Sequence, residues 1–152
     1  MATPLRVLLV EDDNLLRELV RLNLERRGRF TVVGEAEDAR TGVRMAAQLE
    51  PQLVLLDLVM PVMSGFEALP LIRRAAPESH IIVLSMLQRR GVKETVLSQG
   101  ADAFLDKGLD GDELEKRVWE LCIGRTITMA DLMKPEPEEP DPPGKTLNAP
   151  IR

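Results

Sequence analysis

Cys122 is the only cysteine, so no intramolecular disulfide can form, and the chain fits a reducing compartment. Tyrosine is absent, and the aromatics are confined to Phe30, Phe66, Phe104 and Trp119, which leaves the core to aliphatic side chains. Positive charge is not in excess either: the formal net charge is -5, the reverse of the basic patch that marks nucleic-acid binders. No apolar run approaches the length that crosses a bilayer. Leu5 to Val10 is too short for a signal peptide and lacks the charged segment that should precede it. Together these absences predict a cytoplasmic protein that engages neither membrane nor DNA. The 152 residues are enough for one domain with an appendage, and a hydrophobic fraction of 44% is enough for a core.

What is present is a repeated alternation of short apolar runs and amphipathic segments. Leu53-Val54-Leu55-Leu56 is an unbroken aliphatic run that stops on Asp57, the pattern of a strand buried on both faces of a parallel sheet. Leu5 to Val10, Phe30 to Gly34, Ile81 to Leu84 and Ala103 to Leu105 read as four further strands. Helical spacing lies between them. Leu15, Leu19 and Leu22 form one stripe, widened by Leu16 and Val20, and Val43, Ala46, Ala47 and Leu49 form the next after an Asp38 cap. Ser64 can cap a helix over about 65–76, and Val92, Val96 and Leu97 mark one over 89–99 that ends at Gly100. Leu114, Val118 and Leu121 mark the last, over about 110–123. Pro70 leaves a choice: its helix either starts late or bends. Five strands alternating with five helices predict an α/β fold, a flavodoxin-like doubly wound (βα)5 sandwich with a parallel sheet in the order 2-1-3-4-5.

This unit should occupy residues 1–124. A short apolar extension follows over 125–134, where Ile127, Met129, Leu132 and Met133 form either an extra turn or a partner contact. Residues 135–152 hold six of the 11 prolines, interleaved with Glu136, Glu138, Glu139 and Asp141, the composition of a disordered tail.

In a parallel sheet, residues that follow strands share one edge. Glu11, Asp12 and Asp13 follow the first strand, Asp57 the third, Ser85 the fourth and Lys107 the fifth, so these groups should converge. Clustered carboxylates stay ionised together only beside a cation or hydrogen-bond donors. Oxygen donors without His or Cys favour Mg²⁺. A metal on Asp12 and Asp57 would leave room for phosphate, whose oxygens suit the Lys107 charge and the Ser85 hydroxyl. Asp57 is then the natural nucleophile, forming an acyl phosphate.

Val10-Glu11-Asp12-Asp13, the run Asp57 to Gly65 (DLVMPVMSG), Ser85, and the run Gly100 to Lys107 (GADAFLDK) resemble a response-regulator receiver domain, over roughly residues 5–123. The resemblance implies a two-component signalling module phosphorylated on Asp57 by a histidine kinase or a phosphotransfer protein. It implies Asp12 and Asp57 as Mg²⁺ ligands, Glu11 acting mainly through water, and Val59 offering its backbone carbonyl. It gives Ser85 and Lys107 the phosphoryl oxygens, and Phe104 the part of an aromatic switch that turns inward as Ser85 moves. Signalling to a downstream protein would then run through protein contacts, with catalysis limited to the module's own phosphorylation and dephosphorylation. A homodimer through the last helix face is a further implication. Gly108 stands where the family often has proline, Phe104 where tyrosine is frequent, and Met86 where a small residue is common.

Three other readings compete. A Mg²⁺-dependent phosphatase with an aspartyl nucleophile usually carries a second acid two residues on, where this chain has Val59. A scaffold with a decayed pocket would not keep the whole set of Glu11, Asp12, Asp57, Ser85 and Lys107. The chain could also be the receiver part of a longer regulator. Among single residues, Asp13 reads as an exposed helix-start residue, His80 as remote from the acids, and Cys122 as a small buried hydrophobe. Arg73-Arg74 and Arg89-Arg90 read as solvated helix ends. For Trp119, partner contact and side packing weigh equally.

Overall fold

Aliphatic strands buried on both faces leave a chain few ways to satisfy its backbone, and a helix-covered parallel sheet is the one adopted. A computed structural model describes residues 3–87 and 89–124. The expected extension 125–134 and tail 135–152 lie outside the described residues. The elements run β1 (Leu5–Val10), α1 (Asn14–Glu25), β2 (Phe30–Ala36), α2 (Ala39–Leu49), β3 (Leu53–Leu56), α3 (Gly65–Ala75), β4 (His80–Ser85), α4 (Val92–Ser98), β5 (Ala103–Asp106) and α5 (Gly111–Gly124). All strand pairs are parallel, in the order β2-β1-β3-β4-β5. Alternate residues of each strand feed two cores. Leu8, Val10, Val54, Leu56, Ile81 and Val83 pack with Ala46 of α2, Leu69 and Ile72 of α3 and Val96 of α4. Val7, Leu9, Leu53, Leu55, Ile82 and Leu84 pack on the other side, with Val20 and Leu24 of α1 and Leu114 and Val118 of α5. Among the described residues no helix is long and apolar enough to cross a membrane.

The rotation of α1 corrects the expected stripe. Val20 and Leu24 are buried and Leu16 is half-buried, while Leu15, Leu19 and Leu22 remain 69%, 49% and 54% exposed. Burial of Val20 and Leu24 against Phe30 and the α5 side chains sets the rotation, and ion pairs accompany it. The Arg17 guanidinium reaches Glu35 of β2 at 3.3 Å and that of Arg21 reaches it at 3.8 Å, on the side of the helix toward β2. In α5 the buried positions are Leu114, Glu115, Val118 and Cys122, and Leu121 is only partly covered. Burial pushes the Cys122 thiol up to about 12, as befits a small core side chain.

Glu115 is the least expected member of this layer, a carboxylate only 1% exposed. Arg29 donates to both its oxygens, from Nε to Oε2 at 3.0 Å and from Nη2 to Oε1. Arg29 itself is 29% exposed, so it is the loss of Arg29 that would leave a buried carboxylate uncompensated. The same guanidinium lies 4.7 Å from the Trp119 ring centroid, and that ring meets Phe30 edge-on at 5.8 Å and 84°. Trp119 therefore packs sideways against its own domain.

Other boundaries shift for local reasons. The Ser64 hydroxyl accepts from the Glu67 N–H, and Gly65 N–H donates to Leu58 O at 2.8 Å, so α3 starts at Gly65 with Pro70 inside it on its exposed side. The late-start reading is thereby corrected. At Gly91 a φ of 87° breaks the helical path, so α4 begins at Val92 and not at Arg89. Arg73 is no solvated helix end. It donates to Gly100 O at 2.9 and 2.8 Å, to Ser79 O at 2.6 Å and to the Asp102 carboxylate at 2.8 Å, tying the end of α3 to the α4–β5 turn. His80 opens β4, and so lies at the opposite edge from Ser85.

Candidate functional site

The strand order puts the ends of β1, β3, β4 and β5 side by side, and the acids follow from it. Asp57 N–H donates to Val10 O at 3.0 Å, which draws the residue after β3 against the end of β1. Glu11 N–H donates to Ala36 O at 3.0 Å, continuing the ladder with β2 one step past Val10. Lys107 N–H donates to Ser85 O at 3.2 Å, holding the residue after β5 beside the end of β4. One carboxylate oxygen from each of Glu11, Asp12 and Asp57 lies within 4.8 Å of the others. Glu11, Asp57 and Ser85 are buried, and Asp12 is more open to solvent. Asp13 is exposed and caps α1 by accepting from the Leu16 N–H at 3.0 Å.

Lys107 bridges two of these acids, Glu11 and Asp57. Its ammonium donates to Glu11 Oε1 and lies 3.1 Å from Asp57 Oδ1. Two carboxylates and a cation this close partly neutralise one another, yet all are removed from water. Burial is the largest influence on Glu11 and lifts its carboxyl from 4.5 to about 7; the Asp57 charge adds to this, while Lys107 and the Asp13 N–H oppose it. For Lys107 burial acts downward, but the Glu11 and Asp57 contacts outweigh it and hold the ammonium above its ordinary value.

These shifts have a consequence for stability. A carboxyl raised by folding holds a proton that the unfolded chain has already released, so stability falls as pH rises from about 4.5 to about 7. A shift of that size amounts to about 3 kcal/mol at the upper end. Chelator-treated protein should therefore resist urea better at pH 5 than at pH 7.5, and Glu11→Gln should flatten that difference. Equal slopes in the two proteins would show that Glu11 does not carry the effect.

The remaining predicted residues take the following places. Val59 is exposed and donates its N–H to Asp57 Oδ1 at 3.3 Å, and Met86, 73% exposed, follows Ser85. The Ser85 hydroxyl accepts from the Leu87 N–H at 3.1 Å. Phe104 lies farther off, half-buried on β5 opposite Val83, and packs into the α2/α3/α4 core. No peptide bond among the described residues is cis, Lys107–Gly108 included, and Gly108 N–H is held by Asp106 Oδ1 at 2.7 Å.

Two contributors were not legible in the chain. A Cβ on Gly65 would lie 2.1 Å from Asp57 O and 2.6 Å from Leu58 Cα, so the loop closes over Asp57 only because position 65 has no side chain. Its place beside the Ser64 cap was the available signal, but the approach to Asp57 was not. Arg17 donates to Glu11 O at 2.7 Å from a helix position that spacing alone treats as surface.

Three carboxylates with no His or Cys among them, and a lysine paired to two of the three, make a hard, oxygen-only donor set, which fits Mg²⁺ and does not fit zinc or copper. The family described as "Response regulator receiver domain" matches residues 7–119, which hold the carboxyl edge of the sheet and its acid-lysine cluster. The chain belongs to the response-regulator receiver domains.

This receiver is 34% identical over 124 residues to the nitrate/nitrite response regulator protein NarL of Escherichia coli, covering 82% of the chain and 57% of that protein. It is 32% identical over 129 residues to the transcriptional regulatory protein YdfI of Bacillus subtilis, covering 85% of the chain and 60% of that protein. The receiver thus spans less than two thirds of the length of these relatives. Among solved structures, the signal receiver domain of NarL from Mycobacterium tuberculosis superposes with a TM-score of 0.76 at 30% identity, covering 82% of this chain and all of that one. The order 2-1-3-4-5 and the flavodoxin-like sandwich expected from the strand pattern are those of the family. The chain is a receiver module of two-component signal transduction.

Proposed function

We propose that this receiver accepts a phosphoryl group on Asp57 from a histidine kinase or phosphotransfer protein, with Mg²⁺ as cofactor, and signals through protein contacts. The observation that carries the reading is the convergence of Glu11, Asp12, Asp57 and Lys107 at the carboxyl edge, with Lys107 already paired to the acceptor oxygen. Asp12 and Asp57 would hold the ion directly, with Glu11 through water and the Val59 carbonyl. Bound there, Mg²⁺ supplies positive charge that screens phosphoryl oxygens from the carboxylates.

The chain's own groups perform the transfer. An Asp57 carboxylate oxygen attacks the phosphorus of a phosphohistidine. The new P–O bond forms as the P–N bond breaks, and that bond's electron pair leaves with the imidazole, whose other ring nitrogen carries a proton. Lys107 and the Ser85 hydroxyl take up charge on the phosphoryl oxygens. Hydrolysis of the acyl phosphate by water returns the carboxylate, so catalysis goes no further than the module's own phosphorylation state. Movement of Ser85 toward the phosphoryl group would open space toward Phe104 and pass the change to β4, β5 and α4. Leu15 and Leu19, exposed in the first turns of a helix that begins at the same edge, would offer the donor protein an apolar surface near the pocket.

Intact-mass analysis after mixing with Mg²⁺ and acetyl phosphate should show one added phosphoryl group, and none when Mg²⁺ is chelated before acetyl phosphate is added. A protein that stays unmodified under these conditions is not a phosphoacceptor.

A further inference from the structure

Asp12 is the acid whose direction has least visible support. Among the described residues no hydrogen bond or ion pair fixes its carboxylate, although Glu11 beside it is held by Lys107. Where Asp12 points is therefore set by its main chain. That main chain is pinned at the Glu11–Asp12 peptide, whose carbonyl accepts from Arg17 Nη1 at 2.7 Å. The same guanidinium donates from Nη2 to Asn14 Oδ1 at 2.7 Å and from Nε to Glu35 Oε1 at 3.3 Å. The fork thus spans the first residue of α1, the penultimate residue of β2 and the acidic loop, with its own side chain only 14% exposed.

We propose that Arg17 is a positioning residue for the cation site: by holding the Glu11–Asp12 peptide against the start of α1, it aims the Asp12 carboxylate into the pocket. The inference rests on the reading of that pocket as a Mg²⁺-dependent phosphoacceptor site. Arg17 touches neither the acceptor nor its lysine in the contacts described, so its action passes through the backbone. Its charge acts in the other direction. A guanidinium near a cation site repels the incoming ion, so a purely electrostatic Arg17 would weaken Mg²⁺ binding, and its removal would tighten it. A positioning Arg17 has the opposite sign. Partners that orient metal ligands without touching the metal typically change affinity by 10–100-fold when lost.

The test is a calorimetric Mg²⁺ titration of the full chain, with folding of each variant checked by circular dichroism. Arg17→Gln should raise the Mg²⁺ Kd about tenfold. Arg17→Lys keeps the charge but has no fork to span Glu11 O and Asn14 Oδ1, and should fall between wild type and Gln. Should the Gln variant fail to fold, the Lys variant decides alone. Glu35→Gln removes one anchor but leaves the grip on the carbonyl, and should bind as wild type does. Phosphorylation of Arg17→Gln by acetyl phosphate should slow at limiting Mg²⁺ and recover at saturating Mg²⁺, because Asp57, Ser85 and Lys107 are untouched. An unchanged or tighter Kd in Arg17→Gln overturns the proposal. So does a Lys variant equal to wild type, a Glu35→Gln variant as weak as Arg17→Gln, or a rate deficit that persists at saturating Mg²⁺. Failure of wild type to take up a phosphoryl group would instead sink the phosphoacceptor reading, leaving the titration to judge Arg17 by itself.

Discussion

Asp57→Asn is expected to take up no phosphoryl group from acetyl phosphate while folding as the wild type does. The amide keeps the shape of the side chain and can still accept from the Val59 N–H, which bonds to Asp57 Oδ1 at 3.3 Å. It cannot offer an anionic oxygen for bond formation. Lys107 keeps its bond to Glu11 and loses only the ion pair with Asp57. Removing one negative charge also relieves Glu11, whose carboxyl is lifted in part by Asp57. The folded state should therefore be at least as stable as wild type at neutral pH, measured in urea without metal. Undiminished labelling of the variant, mapped by peptide mass to another residue, would remove Asp57 from the acceptor role.

Gly65→Ala should be the most damaging single methyl group in the pocket region. The added carbon would stand 2.1 Å from the Asp57 carbonyl oxygen and 2.6 Å from Leu58 Cα. Both neighbours are backbone, so no side chain can swing away to make room. Either α3 withdraws, breaking the Gly65–Leu58 bond at 2.8 Å, or the peptide after Asp57 moves. Overpacking of this severity costs about 3 kcal/mol. The carbonyl displaced belongs to Asp57, the proposed acceptor, so phosphoryl uptake should slow in the protein that remains folded. An unaltered urea midpoint together with an unaltered uptake rate would show that the loop accommodates the methyl freely.

The strands and their convergence were legible because they depend on local signals and topology. Leu53 to Leu56 is aliphatic throughout and is buried throughout, and the residue after each strand must reach one edge of a parallel sheet. Helix rotation was less legible. α1 carries two apolar stripes side by side, and spacing alone cannot choose between Leu15/Leu19/Leu22 and Leu16/Val20/Leu24. The choice is made by where the distant core partners of α1 lie, Phe30 of β2 and Leu114 and Val118 of α5, with Arg17 and Arg21 reaching Glu35 on the same side. The same reason hid Arg73, Arg29 and Glu115. Their partners lie 27 and 86 positions away, and no local pattern records a guanidinium that closes a distant turn or a carboxylate buried beneath one. Trp119 sat off the expected stripe because its packing is set by Phe30 and Arg29, neither of them on its own helix.

The anchoring of α4 makes this domain mechanically uneven. The helix has seven residues and buries only Val96. Its far end is tied by Arg73 through Gly100, while its near end starts at a glycine with no side-chain cap. Free energy for a local opening scales with the surface and bonds that the opening gives up, and here both are small at the near end. Amide exchange should therefore begin in the first turn of α4 and die away toward Gly100, like a lever fixed at one end. The loose end is the one that follows β4, so a displacement of Ser85 would meet the least resistance there.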